Sequence, residues 1–178
     1  MDYPTKQSKM GVFKRKGRTD PTGLDWHILQ NGWTSLYFRT NVLDDDLKWF
    51  ESENYVTINF DCRTWNDETV MHSLFKDKFA FPDHYGENFN ALRDSLSDLS
   101  IIKTGLVVSF RHMDSIKKQT AHAVLDIFAD ASRRHMLFGN RLITLAQVDD
   151  PYFEIEPVGQ TKVIWNGQEW FNSRRIEE

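Results

Sequence analysis

The chain has 178 residues, 40% of them hydrophobic, with thirteen phenylalanines and six tryptophans, enough apolar surface to bury a real core. A charged share of 27% argues against wholesale disorder, and no apolar run approaches the roughly 20 residues of a membrane-spanning helix. The net charge of −4 is uneven: residues 1–20 hold six Lys/Arg against two Asp/Glu, so this arm is +4 and the remainder −8. Such an arm suits a solvated tail or a nucleic-acid contact. No apolar stretch follows it, so a secretory signal is not expected. Cys62 is the single cysteine, which excludes an intrachain disulfide and a thiol-rich zinc site and fits a reducing cytoplasmic setting.

In chain order, four segments are expected: the basic arm 1–20, an extension over 21–54, a central domain over 55–148 and a second extension over 149–178. "LDWHILQNGWTSLYFRT" predicts a β-hairpin turned at Asn31-Gly32. "NVLDDDLKWFESEN" predicts a short helix capped by Asn41 or Asp44, with Leu43, Leu47 and Phe50 on one face and three aspartates near its positive end. "YVTINFD" reads as a strand. A helix over 66–79, capped by Asn66, is ended before Pro82. "FPDHYGENFNALRDSL" then begins as a turn and continues as a helix over about 88–98.

"GLVVSF" is near-continuously apolar, as in a strand buried on both faces. A long helix over about 115–134 turns Ala121, Val124, Leu125, Phe128 and Ala131 inward, and "RLITLAQ" is another buried strand. Strand, two helices, strand, helix, strand predicts an α/β fold with a small parallel sheet and crossover helices. In the tail, Asn166-Gly167 predicts another hairpin, and Trp165 and Trp170 are expected to pack the tail down.

The inventory for catalysis is thin. Histidines 27, 72, 84, 112, 122 and 135 show no HxH or HExxH spacing, and there is no phosphate loop and no GxSxG elbow. No cofactor and no metal site is expected. His122, among apolar neighbours, reads as a packed core histidine. Asp94 and Asp98 stand one helical turn apart, which more often means a solvated face than a shared proton or a cation. These features favour a binding protein over an enzyme.

The stretch "FPDHYGENFNALRDSL" closely resembles the signature of the barstar family, cytoplasmic ribonuclease inhibitors. Pro82, Asp83, Tyr85, Gly86, Glu87, Asn88, Ala91, Leu92 and Asp94 fall on its pattern. The similarity runs over about 55–147 and includes "YVTINF", "GLVVSFRHMDS", "AVLDIFADA" and "RLITLAQ"; the two extensions are similar to those of longer barstar-related proteins. The resemblance implies a barstar-like sheet and an acidic loop–helix surface that plugs the cationic cleft of a protein toxin, most simply a ribonuclease or other nuclease.

Carried over residue by residue, Asp94 takes the position of the dominant acidic contact and Asp130 that of a further acid on the third helix. His84 stands where an aromatic plug is usual, and Asn88 where the loop asparagine sits. Asn90 replaces an acid, His84 a tyrosine and Arg93 a tryptophan, and Arg134 falls near another acidic position. The candidate partner-binding residues are thus His84, Tyr85, Gly86, Glu87, Asn88, Asn90, Arg93, Asp94, Asp98 and Asp130. Residues 55–147 hold 11 Lys/Arg and 11 Asp/Glu, but residues 81–100 keep four acids against Arg93 alone.

Two simpler readings stand beside this one. Pro82 to Asn88 also suits a plain helix-to-helix turn, with Gly86 supplying a positive φ and Asn88 the cap. Asp130 also has Arg133 and Arg134 within local pairing distance on a helix. The alternative functions are a nucleic-acid-associated binding module using Lys14 to Arg18 and, with least support, an enzyme using Asp94, Asp98 and His84.

Overall fold

The structure, a computed structural model, describes residues 23–176; the basic arm and its nucleic-acid reading lie outside them. The elements run α1 (Leu24–Gln30), β1 (Thr34–Tyr37), α2 (Thr40–Ser52), β2 (Val56–Asp61), α3 (Glu68–Phe79), α4 (Phe89–Ser97), β3 (Leu106–Arg111), α5 (Lys118–Leu137), β4 (Leu142–Gln147), β5 (Ile164–Trp165) and α6 (Asn172–Ile176). The strands form one sheet in the order β2-β3-β4-β1-β5, every pair parallel. The α/β expectation with crossover helices therefore holds.

Parallel neighbours need long crossovers, and those helices cover both faces of the sheet. Because side chains alternate along a strand, the sheet feeds two cores. Phe60, Val108, Phe110, Leu142 and Ala146 join α3, α4 and α5 on one face. Tyr37, Val107, Ile143 and Leu145 join Ile28, Leu43, Leu47 and Phe50 of α1 and α2 on the other. Phe75 and Phe128, from α3 and α5, meet at 5.9 Å between ring centroids and help tie these helices together.

The N-terminal hairpin is not formed. Leu24–Gln30 is helical, with Ile28 and Leu29 buried, and Asn31 is its C-cap. An Asn-Gly pair ends a helix as readily as it turns a hairpin, because both uses need a residue that tolerates positive φ. Gly32 has φ +101°, and a Cβ there would sit 2.6 Å from the Thr161 side chain. β1 is buried at all four residues between β4 and β5, a site that selects a parallel strand over a hairpin arm.

α2 starts ahead of both expected caps, Asn41 and Asp44, with Arg39 as N-cap, so its aspartates do not sit in the first turn. They divide instead: Asp44 pairs with Arg111, Asp45 with Lys48, and Asp46 is buried. α3 is capped by Asp67, whose carboxylate accepts from Val70 N at 2.9 Å, rather than by Asn66. α5 runs from Lys118 to Leu137, and all five of its predicted inward residues are buried. His122 is only half-buried and donates to the Pro157 carbonyl at 3.0 Å. The core histidines are His72 and His135.

The tail also departs from a hairpin. Ile164–Trp165 pairs in parallel with Ser35–Leu36, and Asn166 turns inward to donate to Asp46 at 2.6 Å. Asp46 also accepts from the Tyr37 hydroxyl at 2.8 Å. Burial pushes the Asp46 carboxyl up, against the lowering effect of these two donors. Glu169 accepts from Phe38 N at 2.9 Å and Arg39 N at 2.8 Å. Arg175 lies 4.0 Å from the Trp165 ring centroid, a cation–π contact. Trp170 contradicts the packing expectation: it is 55% exposed, and the buried Glu169 and Arg175 secure the tail instead.

Candidate functional site

The stretch from Phe81 to Ser97 is built to hold an exposed surface on a buried base. α3 stops where Ala80 takes a left-handed conformation, and Phe81 N closes back on the Lys76 carbonyl at 2.9 Å. Pro82 starts a tight turn closed by Tyr85 N on the Pro82 carbonyl at 2.9 Å. Phe81 stacks on Phe79 at 5.3 Å and meets Tyr85 at 4.9 Å. Two of the turn's side chains, Phe81 and Tyr85, are therefore core residues.

Tyr85 was a candidate partner contact, but only 6% of it is exposed. Its hydroxyl meets His72 Nδ1 at 2.7 Å. Burial, with Glu87 adding, pushes the phenol up, and burial pulls the His72 imidazole down, so both are neutral near pH 7. His72 Nε2 is buried without a partner among the described residues, an arrangement that costs about 1–3 kcal/mol. Tyr85 thus fixes the loop from below, a positioning role in place of direct display.

The loop's conformation is also reassigned. Gly86 does not have a positive φ; Glu87 does, at 47°. Gly86 sits in a tight spot instead, since an added Cβ would lie 3.2 Å from Asn88 Nδ2 and 3.4 Å from Ala91 Cβ and would press on the capping side chain. Asn88 is the expected N-cap: its Oδ1 accepts from Ala91 N at 2.9 Å, and its Nδ2 donates to the Gly86 carbonyl at 2.9 Å. One side chain thereby locks the loop to the first turn of α4.

α4 buries Leu92 and Leu96 and leaves Asn90, Asp94 and Asp98 exposed. Their spacing of four puts these three on one outward stripe. With exposed His84, Gly86, Glu87 and Asn88 they form a continuous polar surface along the loop and helix. Among the described residues the Asp94 carboxylate has no ion pair. Asp98 sits at the C-cap of α4, where a negative charge opposes the helix dipole.

The remaining two candidates are engaged within the protein. Asp130 pairs with Arg133 and, at 3.6 Å, with Arg134; its side chain is 19% exposed. Arg93 lies between α4 and α5, with one Nη 4.0 Å from Asp126. Sequence reasoning missed Asp126 and His72 as participants. The one-turn spacing of Asp126 and Asp130 along α5 was a usable signal for the first; a lone histidine carried none for the second.

Elsewhere, an open cleft of about 400 Å³ lies at the first turns of α3 and α5, with Trp65, Asp67, Glu68 and Lys117 among its lining. Among the described residues no group of three His, Cys, Asp or Glu is placed to hold a metal ion. Cys62 is buried, and its thiol is pushed up by that burial, which makes it a poor nucleophile. No helix of the described residues is long and apolar enough to cross a membrane.

This fold and surface define a class in which a parallel sheet carries a rigid acidic loop–helix face. Comparison with known proteins specifies it. The family model described as "Barstar (barnase inhibitor)" matches residues 55–147, just over half of the chain, and the protein belongs to the barstar family. It is 33% identical over 75 residues to the "Putative ribonuclease inhibitor YrdF" of Bacillus subtilis (strain 168), an alignment covering 42% of this chain and 82% of that protein. The matched stretch runs from the residue before β2 to the end of β4 and contains the whole candidate surface.

Proposed function

We propose that this protein is a cytoplasmic immunity protein that binds a protein toxin, a ribonuclease, and occludes its active site without performing chemistry. The observation that carries this reading is Asp94: exposed, free of any ion pair among the described residues, and held on a helix whose entry loop is anchored in the core. A ribonuclease cleft must attract phosphate, so it is cationic. A fixed carboxylate offered to such a cleft loses little conformational entropy on binding and gains a charge-assisted contact. Glu87 and Asp98 extend the negative surface, while His84, Gly86, Asn88 and Asn90 supply polar contacts and shape around it. Membership in an inhibitor family supports the class of partner.

The test is protection in cells. The protein is co-expressed with a nuclease toxin encoded beside its gene, and survival is compared for wild type and Asp94→Ala. Wild type is expected to protect and the variant to fail. Equal protection by the variant would show that the docking surface lies elsewhere.

A further inference from the structure

The docking face is not uniformly acidic, and the way its arginines are held has a consequence for the partner. Arg93 directly precedes Asp94, and its Nε is buried with nothing to donate to among the described residues. The carboxylate facing it, Asp126, is 4.0 Å away, beyond hydrogen-bond distance, while the Arg93 side chain stays 41% exposed. Its positive charge is therefore held by packing and only loosely compensated. One turn further along, Arg134 reaches across to Ser97 Oγ at 3.4 Å and shares Asp130 with Arg133, and its own side chain is 50% exposed. Asp130 is consequently withdrawn from the surface. The seam between α4 and α5 presents two half-exposed cations beside the open Asp94.

We infer that the partner carries an acidic group on the rim of its cationic cleft, seated against Arg93 and Arg134, and that these two arginines select against nucleases whose rim is positive throughout. This rests on the reading of the loop and α4 as the docking face. A uniformly cationic cleft attracts Asp94 but is repelled by Arg93 at the adjacent position. Like charges brought together at an interface are a strong bar to a wrong partner. A carboxylate placed there takes the exposed terminal nitrogens of Arg93 in the bidentate geometry that guanidinium favours. Nucleic acid would also satisfy the arginines, but it would meet Asp94 and Asp98 on the same face.

The experiment uses the full chain with barnase as a cationic-cleft probe, reading affinity by calorimetry and by inhibition of RNA cleavage, with a melting curve for every variant. Arg93→Gln/Arg134→Gln is expected to bind at least about tenfold more tightly than wild type. Arg93→Lys, which keeps the charge, is expected to keep the repulsion. Asp94→Ala on the double-glutamine background is expected to lose the gain. Unchanged or weaker binding by the double variant would overturn the inference; so would no detectable binding by any of these proteins. Equal affinity with and without Asp94 would instead remove the docking surface itself. An RNA oligonucleotide held by wild type and released by the double variant would assign the arginines to phosphate and also overturn the inference.

Discussion

Two regions of this molecule are equally rich in charged side chains and use them in opposite ways. Where the tail meets the carboxyl ends of the strands, charges are turned inward. Glu169 holds two backbone N–H groups, Arg175 lies on Trp165, Asp46 joins Tyr37 to Asn166, and Asp114 accepts from Asp149 N and Asp150 N. Along the loop and α4, the backbone is fixed from beneath by Tyr85, His72 and Asn88, while Glu87, Asp94 and Asp98 face solvent. Satisfied charges mark architecture. Exposed charges on a backbone anchored from beneath are what the proposed docking role requires.

That contrast can be broken by separating stability from binding. The largest stability effect is expected in the tail: Glu169→Ala strands two half-buried N–H donors, those of Phe38 and Arg39, and should lower the unfolding free energy by roughly 3 kcal/mol, measured by urea denaturation. Affinity of the folded fraction for a partner should be unaffected. Next is Tyr85→Phe, which leaves His72 Nδ1 without its buried partner and should cost about 1–3 kcal/mol. It should also weaken binding, because the loop above it loses its anchor.

A smaller effect is expected on acidification. His72 has its folded-state value lowered by burial, so the neutral form is favoured in the fold. Its contribution to stability is fully present above its unfolded value of about 6.5. That contribution is lost as pH falls through the lower folded value. Stability measured from pH 7.5 to 5 should therefore decline, and His72→Phe should flatten the decline. A slope unchanged by that substitution would show that another group governs it.

The central domain was legible because its signals are local. Apolar runs at 105–110 and 142–146 are what strands covered on both faces require, the β-branched and aromatic residues of 55–60 suit the edge strand β2, and the α5 stripe is a plain helical period. The stripe of Asn90, Asp94 and Asp98 followed from the same arithmetic. What was not legible depends on distant partners. Ile28 and Leu29 suit a strand or a helix equally, and the contact of Gly32 with Thr161 that excludes a side chain there joins points far apart in the chain. Asn166 meets Asp46 across 120 residues, so its Asn-Gly pair looked like a hairpin turn. At the site, Tyr85 read as display because nothing in a single sequence places His72 beneath it. Gly86 was assigned the positive φ that Glu87 takes, because glycine is chosen both for unusual φ and for tight approach.

The smallest stability effect belongs to Asp94, and the central claim turns on it. Asp94→Ala should change stability by less than about 0.5 kcal/mol, as an exposed substitution without partners does, and keep Tm within about 2 °C of wild type. Titrating the purified variant into the partner nuclease's RNA-cleavage reaction should show inhibition weakened by about 30-fold or more, equivalent to ~2 kcal/mol from one lost charge contact. Inhibition at wild-type strength by an equally stable variant would contradict the account.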